Sequence, residues 1–218
     1  VKISQFGAAF IKGFKGLMGN DPRVPDLSIQ SYGYMYLADT DAFADQLRAA
    51  QKVQIDAGAA TQLMTPAQVK EAYPFYTVDD IVLGSINLID EGYWDGGTVF
   101  DWWRRSARER GVEYITGEVT SMHVVGPRVH SVTLANGDAI ACGKVVNATD
   151  PRGARTAKMA GIQIPVEPRK RFTWIFSAEQ PLGQVLPLTI DPSGVHFRQD
   201  GPKTYLAGGH AHPDLAVE

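Results

Sequence analysis

The stretch Lys144-Val145-Val146-Asn147-Ala148-Thr149 runs through Asp150-Pro151 straight into the helix-like residues 152–161. A buried strand that ends in small residues and turns directly into a helix sets backbone amides beside a ligand phosphate or ring. Asn147, Ala148 and Thr149 therefore read as the edge of a cofactor site. The Gly-x-Gly-x-x-Gly turn that anchors a dinucleotide occurs nowhere in the 218 residues. Gly13, Gly16 and Gly19 are spaced Gly-x-x-Gly-x-x-Gly inside a helical pattern and do not replace it. Tyr34 and Tyr36 stand two apart in an aromatic, strand-like run, so they share one face and suit either a pocket wall or plain sheet core.

Other chemistries find little support. Ser and His occur without the Gly-x-Ser-x-Gly elbow of a hydrolase. His210-Ala211-His212 has no cysteine or fixed carboxylate beside it, so no metal is expected and this end reads as a solvated tail. The single cysteine, Cys142, excludes an internal disulfide and reads as a small residue near a strand. Lys plus Arg number 21 against 24 Asp plus Glu, with a net charge of -3, which argues against nucleic acid as a partner. No apolar run approaches the roughly 20 residues needed to cross a bilayer. The expectation is a soluble, cytoplasmic protein with no membrane partner.

These residues must be positioned by a mixture of helices and strands. Val1 to Leu17 repeats apolar residues at helical spacing, and Asp39-Thr40-Asp41 opens a helix that Gly58 stops. Thr65-Pro66 opens another, and Thr98 is the expected cap of a helix ending before Gly111. Strands are predicted at 31–38, 61–64 and 81–89. From Val112 the texture changes to short strands at 113–115, 118–125, 129–134 and 139–141, with Asn136-Gly137 as a hairpin turn. A long strand is expected over 165–176, and a hairpin around Asp200-Gly201. The fold class is α+β, with a mainly antiparallel sheet and helices on one face.

Taken in order, several short segments resemble the D-amino-acid oxidase superfamily of flavin enzymes, nearest to the sarcosine and dimethylglycine oxidase or dehydrogenase type. They are Tyr32 to Ala38, Asp90 to Asp95 before the Trp102-Trp103 helix, and Gly117 to Met122. They continue through Val145 to Thr149, Pro165 to Arg171, and Val195-His196-Phe197-Arg198. The resemblance implies that 1–111 is the first part of a substrate domain. It makes 112–164 a partial, strand-rich lobe of the FAD-binding domain, and 165–218 the return strands of the substrate domain. The chain then reads as the family's middle portion. It lacks the first βαβ unit with its glycine fingerprint and the C-terminal segment that closes over the flavin, as in a truncated form of a longer reading frame.

The resemblance also implies site residues. FAD is the expected cofactor of the intact protein, held weakly or not at all by this chain. The backbone of Val119 would lie beside the adenine, and Asn147, Ala148 and Thr149 under the ADP moiety. The family usually carries a glycine or other small residue followed by an aromatic where this sequence has Asp150 and Arg152, and an anionic Asp150 is unfavourable near a pyrophosphate. An amino-acid oxidase needs a cation for the substrate carboxylate, and the planar fork of arginine suits it. Arg198 matches where several family members place such a residue, with Arg171 as second candidate and Tyr34 and Tyr36 lining the pocket. The function implied is oxidation of the C–N bond of an amino acid or N-methylated amine, the isolated chain being inactive. The alternative is a non-catalytic, flavoprotein-like interaction or assembly module. Neither the choice of amine nor the oligomeric state follows from the residues.

Overall fold

Local signals start the helices. Thr40 Oγ1 accepts from the Phe43 amide and begins α3 (Asp41–Asp56). Thr65 and Gln68 form a reciprocal capping box that, with Pro66 in the first turn, begins α4 (Pro66–Ala72). At α5 (Gly96–Glu109) the capping side chain is Asp95, not the expected Thr98. Its carboxylate accepts from both the Thr98 amide and the Thr98 hydroxyl, and the side-chain bond, then the backbone one, lowers its pKa. The helix expected over Val1 to Leu17 is interrupted at Gly13, giving α1 (Lys2–Lys12) and α2 (Phe14–Leu17). Glycine is a poor helix interior residue, and the break lets Phe14 turn into the core.

The computed structural model describes residues 1–210 and 212–217, in two compact units. The first comprises 1–106 with 172–210, and the second 107–171 with 212–217. Ala211, in the middle of the histidine pair considered above, lies outside the described residues.

The first unit is built on a seven-stranded sheet. Its strands are β1 (Tyr34–Ala38), β2 (Gln62–Met64), β3 (Leu83–Asn87), β7 (Phe172–Ser177), β8 (Leu188–Ile190), β9 (His196–Gln199) and β10 (Thr204–Gly209), in the order β2-β3-β1-β8-β9-β10-β7. Every pairing is antiparallel except β1 with β8. The mainly antiparallel α+β character expected from the sequence therefore holds, with the helices divided between the two faces. On one face Met35, Leu37 and Ile86 pack with Val69 of α4 and with Tyr73. On the other, Ala38 and Leu83 pack with Ala44 and Leu47 of α3. Leu37 and Ala38 are neighbours in a strand, which by the period of two sends them to opposite faces. A third cluster joins Phe14 and Val24 to Val99 and Trp102 of α5.

Two strand expectations change here. β7 begins only at Phe172, so the stretch 165–171 is not strand apart from one bridge between Arg169 and Ala216. β8 escapes sequence reading because its three residues follow a proline and show no alternation.

The second unit holds a three-stranded meander of β4 (Val119–Val125), β5 (Arg128–Leu134) and β6 (Ala139–Ala141), then a 3-10 turn (Asp150–Arg152) and α6 (Gly153–Lys158). The Asn136-Gly137 turn forms as expected, with Gly137 at φ +92° and its amide donating to Leu134 O. Neither 113–115 nor Lys144 to Thr149 forms a strand. A strand exists through its neighbours, and no described strand pairs with either stretch, so Val146 stands 88 % exposed rather than buried.

Candidate functional site

Strand register sets the site in the first unit. Tyr34 lies opposite Asn87 on β3 and Leu188 on β8, and Tyr36 opposite Ser85 and Ile190. β8 pairs with β9 through Thr189↔Phe197 and Ile190↔His196. Continuing that register by one residue brings Arg198 opposite Leu188. One face therefore carries two rows, Asn87-Tyr34-Leu188-Arg198 and Ser85-Tyr36-Ile190-His196. Arg198 and Tyr34 are two interstrand steps apart, roughly 10 Å. Next to β9, Gly208 admits the His196 ring, since a Cβ there would lie 2.6 Å from Nε2.

The tyrosine end of these rows opens into a cavity of about 500 Å³, closed by α1 and by residues 58–61. The rings of Tyr34 and Tyr36 sit 5.2 Å apart. Burial first, then the hydrogen bond and charge of Tyr36 and the charge of Glu91, push the Tyr34 hydroxyl up to about 12. At neutral pH Tyr34 is thus a hydrogen-bonding hydroxyl and not a base. The cavity's charged side chains are Lys12, Asp90 and Glu91, with Lys12 paired to Asp90 at 2.7 Å and the Asn87 amide donating to Glu91 at 3.3 Å. Gln54 also lines it, and its buried Oε1 has no hydrogen-bond partner. The lining is therefore rich in acceptors, which suits a protonated or N–H-bearing ligand.

Arg198 is held in three ways. Its Nη1 donates to Gln199 O at 3.0 Å and stands 2.8 Å from Asp200 Oδ1 in an ion pair, and its guanidinium rests 4.8 Å from the centre of the Tyr93 ring. Tyr93 packs edge-on against Tyr32 with centroids 5.4 Å apart. Burial, then the bond and charge of Tyr32, raises the Tyr93 pKa, with Arg198 opposing and Asp200 adding to the shift. Arg171 belongs instead to the second unit, where Asp214 takes its guanidinium in a two-pronged pair that includes an Nη2–Oδ2 contact of 2.7 Å.

The expected cofactor residues all lie in the second unit. Asn147, Ala148 and Thr149 line one cavity of about 460 Å³ with Asp150, Gly153 and Ile164. Asn147 knits this turn, donating to Gly153 O at 2.8 Å while its Oδ1 accepts from the Thr149 hydroxyl at 2.8 Å. Val119 heads β4 opposite Leu134 and does not line that cavity. Asp150 has φ +51°, the left-handed conformation that favours glycine. The backbone thus has a shape that suits glycine, one of the small residues the resemblance leads one to expect here, while the side chain adds an anion. The small side chain of Ala148 leaves room for a ligand in this cavity, and the Asp150 carboxylate adds an anion to its lining, which does not suit a pyrophosphate.

A family model described as FAD dependent oxidoreductase, DAO, matches residues 20–217. The chain belongs to this family. FAD is accordingly its cofactor class, and the fold is that of the family's flavoenzymes. Among curated relatives, FAD-dependent oxidoreductase domain-containing protein 1 of Bos taurus is 30% identical, covering 92% of the chain and 47% of that protein. Its Xenopus laevis counterpart is 29% identical, covering 95% and 48%. The chain thus spans about half the length of these relatives. Similar solved structures include L-proline dehydrogenase from P. horikoshii, with a TM-score of 0.78 at 23% identity over 97% of the chain and 55% of that protein. Glycine oxidase from Geobacillus kaustophilus gives 0.71 at 19% identity, over 92% and 52%.

Sequence reading singled out Arg198, Tyr34 and Tyr36, but missed the side chains around them. Asp200 had a local signal, an acid two residues after the arginine at a turn. Tyr93 lies in a segment that carried the family resemblance without being assigned a role. Glu91 lies in that same segment, likewise without a role, whereas Asn87 and Gln54 offered no signal, since each looks like an ordinary strand-end or helix residue.

Proposed function

We propose that this chain is the substrate-holding portion of an FAD-dependent oxidoreductase that oxidises the C–N bond of an amino acid or N-methylated amine. The observation that carries the reading is the row running from Tyr34 to Arg198 on one sheet face, with an acceptor-rich cavity at one end and a guanidinium at the other. Arg198 binds the carboxylate through its fork, Tyr34 and Tyr36 orient the amine by hydrogen bonds, and Leu188 and Ile190 keep the space between apolar. When bound, FAD supplies the hydride acceptor for the carbon next to nitrogen, and water hydrolyses the resulting imine. Asn147, Ala148 and Thr149 provide one wall of its ADP site, and the backbone of Val119, outside that cavity, a separate contact to the adenine. Solved relatives named for proline and glycine support an amino-acid substrate.

The isolated chain is expected to be inactive. A second reading, a non-catalytic interaction or assembly module, is favoured by Asp150, which adds an anion to the cavity lined by Asn147, Ala148 and Thr149. In the full-length protein, anaerobic bleaching of the flavin by sarcosine, dimethylglycine or a free amino acid separates the two. Bleaching by at least one supports the oxidoreductase, and FAD that none of them reduces supports the module.

A further inference from the structure

The Arg198 guanidinium is not a loose surface cation. Its side chain is 23% exposed, and both of its polar contacts run through Nη1, to Asp200 Oδ1 and to Gln199 O. Its flat face lies on the Tyr93 ring, itself braced by Tyr32. An arginine side chain has about 2 kcal/mol of rotamer freedom, and a fork fixed beforehand loses less of it when a ligand binds. These contacts use one nitrogen and one face, and leave the Nε–Nη2 edge, which is the edge geometry that a carboxylate grips with two parallel bonds.

We infer that Asp200 and Tyr93 are positioning residues that hold the Arg198 fork so that its Nε–Nη2 edge is presented to the carboxylate of the substrate. The inference rests on the reading of Arg198 as the carboxylate-binding residue. Asp200 acts here as an anchor and not as a rival for the fork. Its contact is to a single guanidinium nitrogen, whereas the Arg171–Asp214 pair in the other unit occupies two. What matters at Asp200 is an oxygen seated against Nη1, so asparagine, which keeps a carbonyl oxygen at the same place, preserves the arrangement. The aromatic face matters at Tyr93, so phenylalanine preserves it and leucine does not.

The test is a titration of the 218-residue chain with sarcosine, and separately with the carboxylate-free dimethylamine, following the Arg198 Nε–Hε resonance by NMR. Sarcosine should shift the resonance and dimethylamine should not. Asp200→Ala and Tyr93→Leu should each weaken sarcosine binding about tenfold, whereas Asp200→Asn and Tyr93→Phe stay within about threefold of wild type. Tighter binding in Asp200→Ala would show a competing carboxylate and overturn the inference, as would equal weakening by Asp200→Asn and Asp200→Ala. Should Asp200→Ala fail to fold, the Tyr93→Leu and Tyr93→Phe pair decides alone. If Arg198→Ala, folded by circular dichroism, binds sarcosine as wild type does, the reading of Arg198 itself fails. If Arg198→Ala abolishes binding while Asp200→Ala and Tyr93→Leu do nothing, only the positioning inference fails.

Discussion

The two units of this chain treat their apolar residues in opposite ways. The first sinks Met35, Phe14, Val69 and Tyr205 to 1 % exposure or less, between a seven-stranded sheet and helices on both of its faces. In the second, Leu134 is the buried large apolar side chain among the described residues, while Val112, Ile115, Val145, Val146 and Ile162 are all exposed. Burial of apolar area is the main favourable term in folding, so a unit that leaves this much in water is held chiefly by its hairpins. The proposed substrate residues sit in the well-packed unit and the proposed cofactor wall in the other. Substrate recognition and cofactor binding should therefore respond differently to perturbation.

The largest expected effect strikes the first core. Tyr205 stacks on Phe197 with centroids 5.5 Å apart, and its hydroxyl accepts from the Leu182 amide at 2.8 Å. Tyr205→Ala should cost about 3–5 kcal/mol in chemical denaturation, and Val146→Ala less than about 0.5 kcal/mol. Comparable losses at the two positions would break the contrast. Next, Arg198→Ala should weaken carboxylate binding by about thirtyfold, the equivalent of ~2 kcal/mol for a charge-assisted pair, with no change in thermal unfolding beyond a degree or two.

A smaller effect tests the packing beneath the site. The Tyr76 hydroxyl lies 2.6 Å from that of Thr189, and burial, opposed by that bond, pushes its pKa from 10.0 up to about 12. Because the folded value is raised, the stabilisation is complete below pH 10 and is lost as pH rises toward about 12. Tyr76→Phe should reduce the alkaline dependence of the first unit's unfolding by the Tyr76 share, that of Tyr34, Tyr73 and Tyr93 remaining, and cost about 1 kcal/mol at neutral pH. The smallest change belongs to the second unit. Asp150→Gly relieves a left-handed non-glycine residue and should stabilise that unit by about 0.5 kcal/mol, read as slower hydrogen exchange around Asn147 to Gly153.

Much of the first unit was legible because its signals are local. Thr40 and Thr65 start helices through bonds to residues three positions on, and Pro66 suits the first turn by its fixed φ. The alternation of Tyr34 and Tyr36 against Met35 and Leu37 orients β1. What escaped depends on distant partners. Val145-Val146 has the composition of a buried strand, yet a strand needs a neighbour to accept its hydrogen bonds, and composition cannot supply one. Arg198 was visible as a cation on a strand, but the Tyr93 ring beneath it is more than a hundred positions away. Asp150 was legible as an anomaly, and its φ of +51° gives the anomaly a physical form.

The central claim is that this chain carries the proposed substrate residues in a well-packed unit and the proposed cofactor wall in a unit that supports it poorly. Titrating the purified 218-residue chain with FAD, and following the flavin fluorescence, tests it most directly. Weak or undetectable binding, with a dissociation constant well above micromolar, is the predicted result. Submicromolar binding by the chain alone would contradict it.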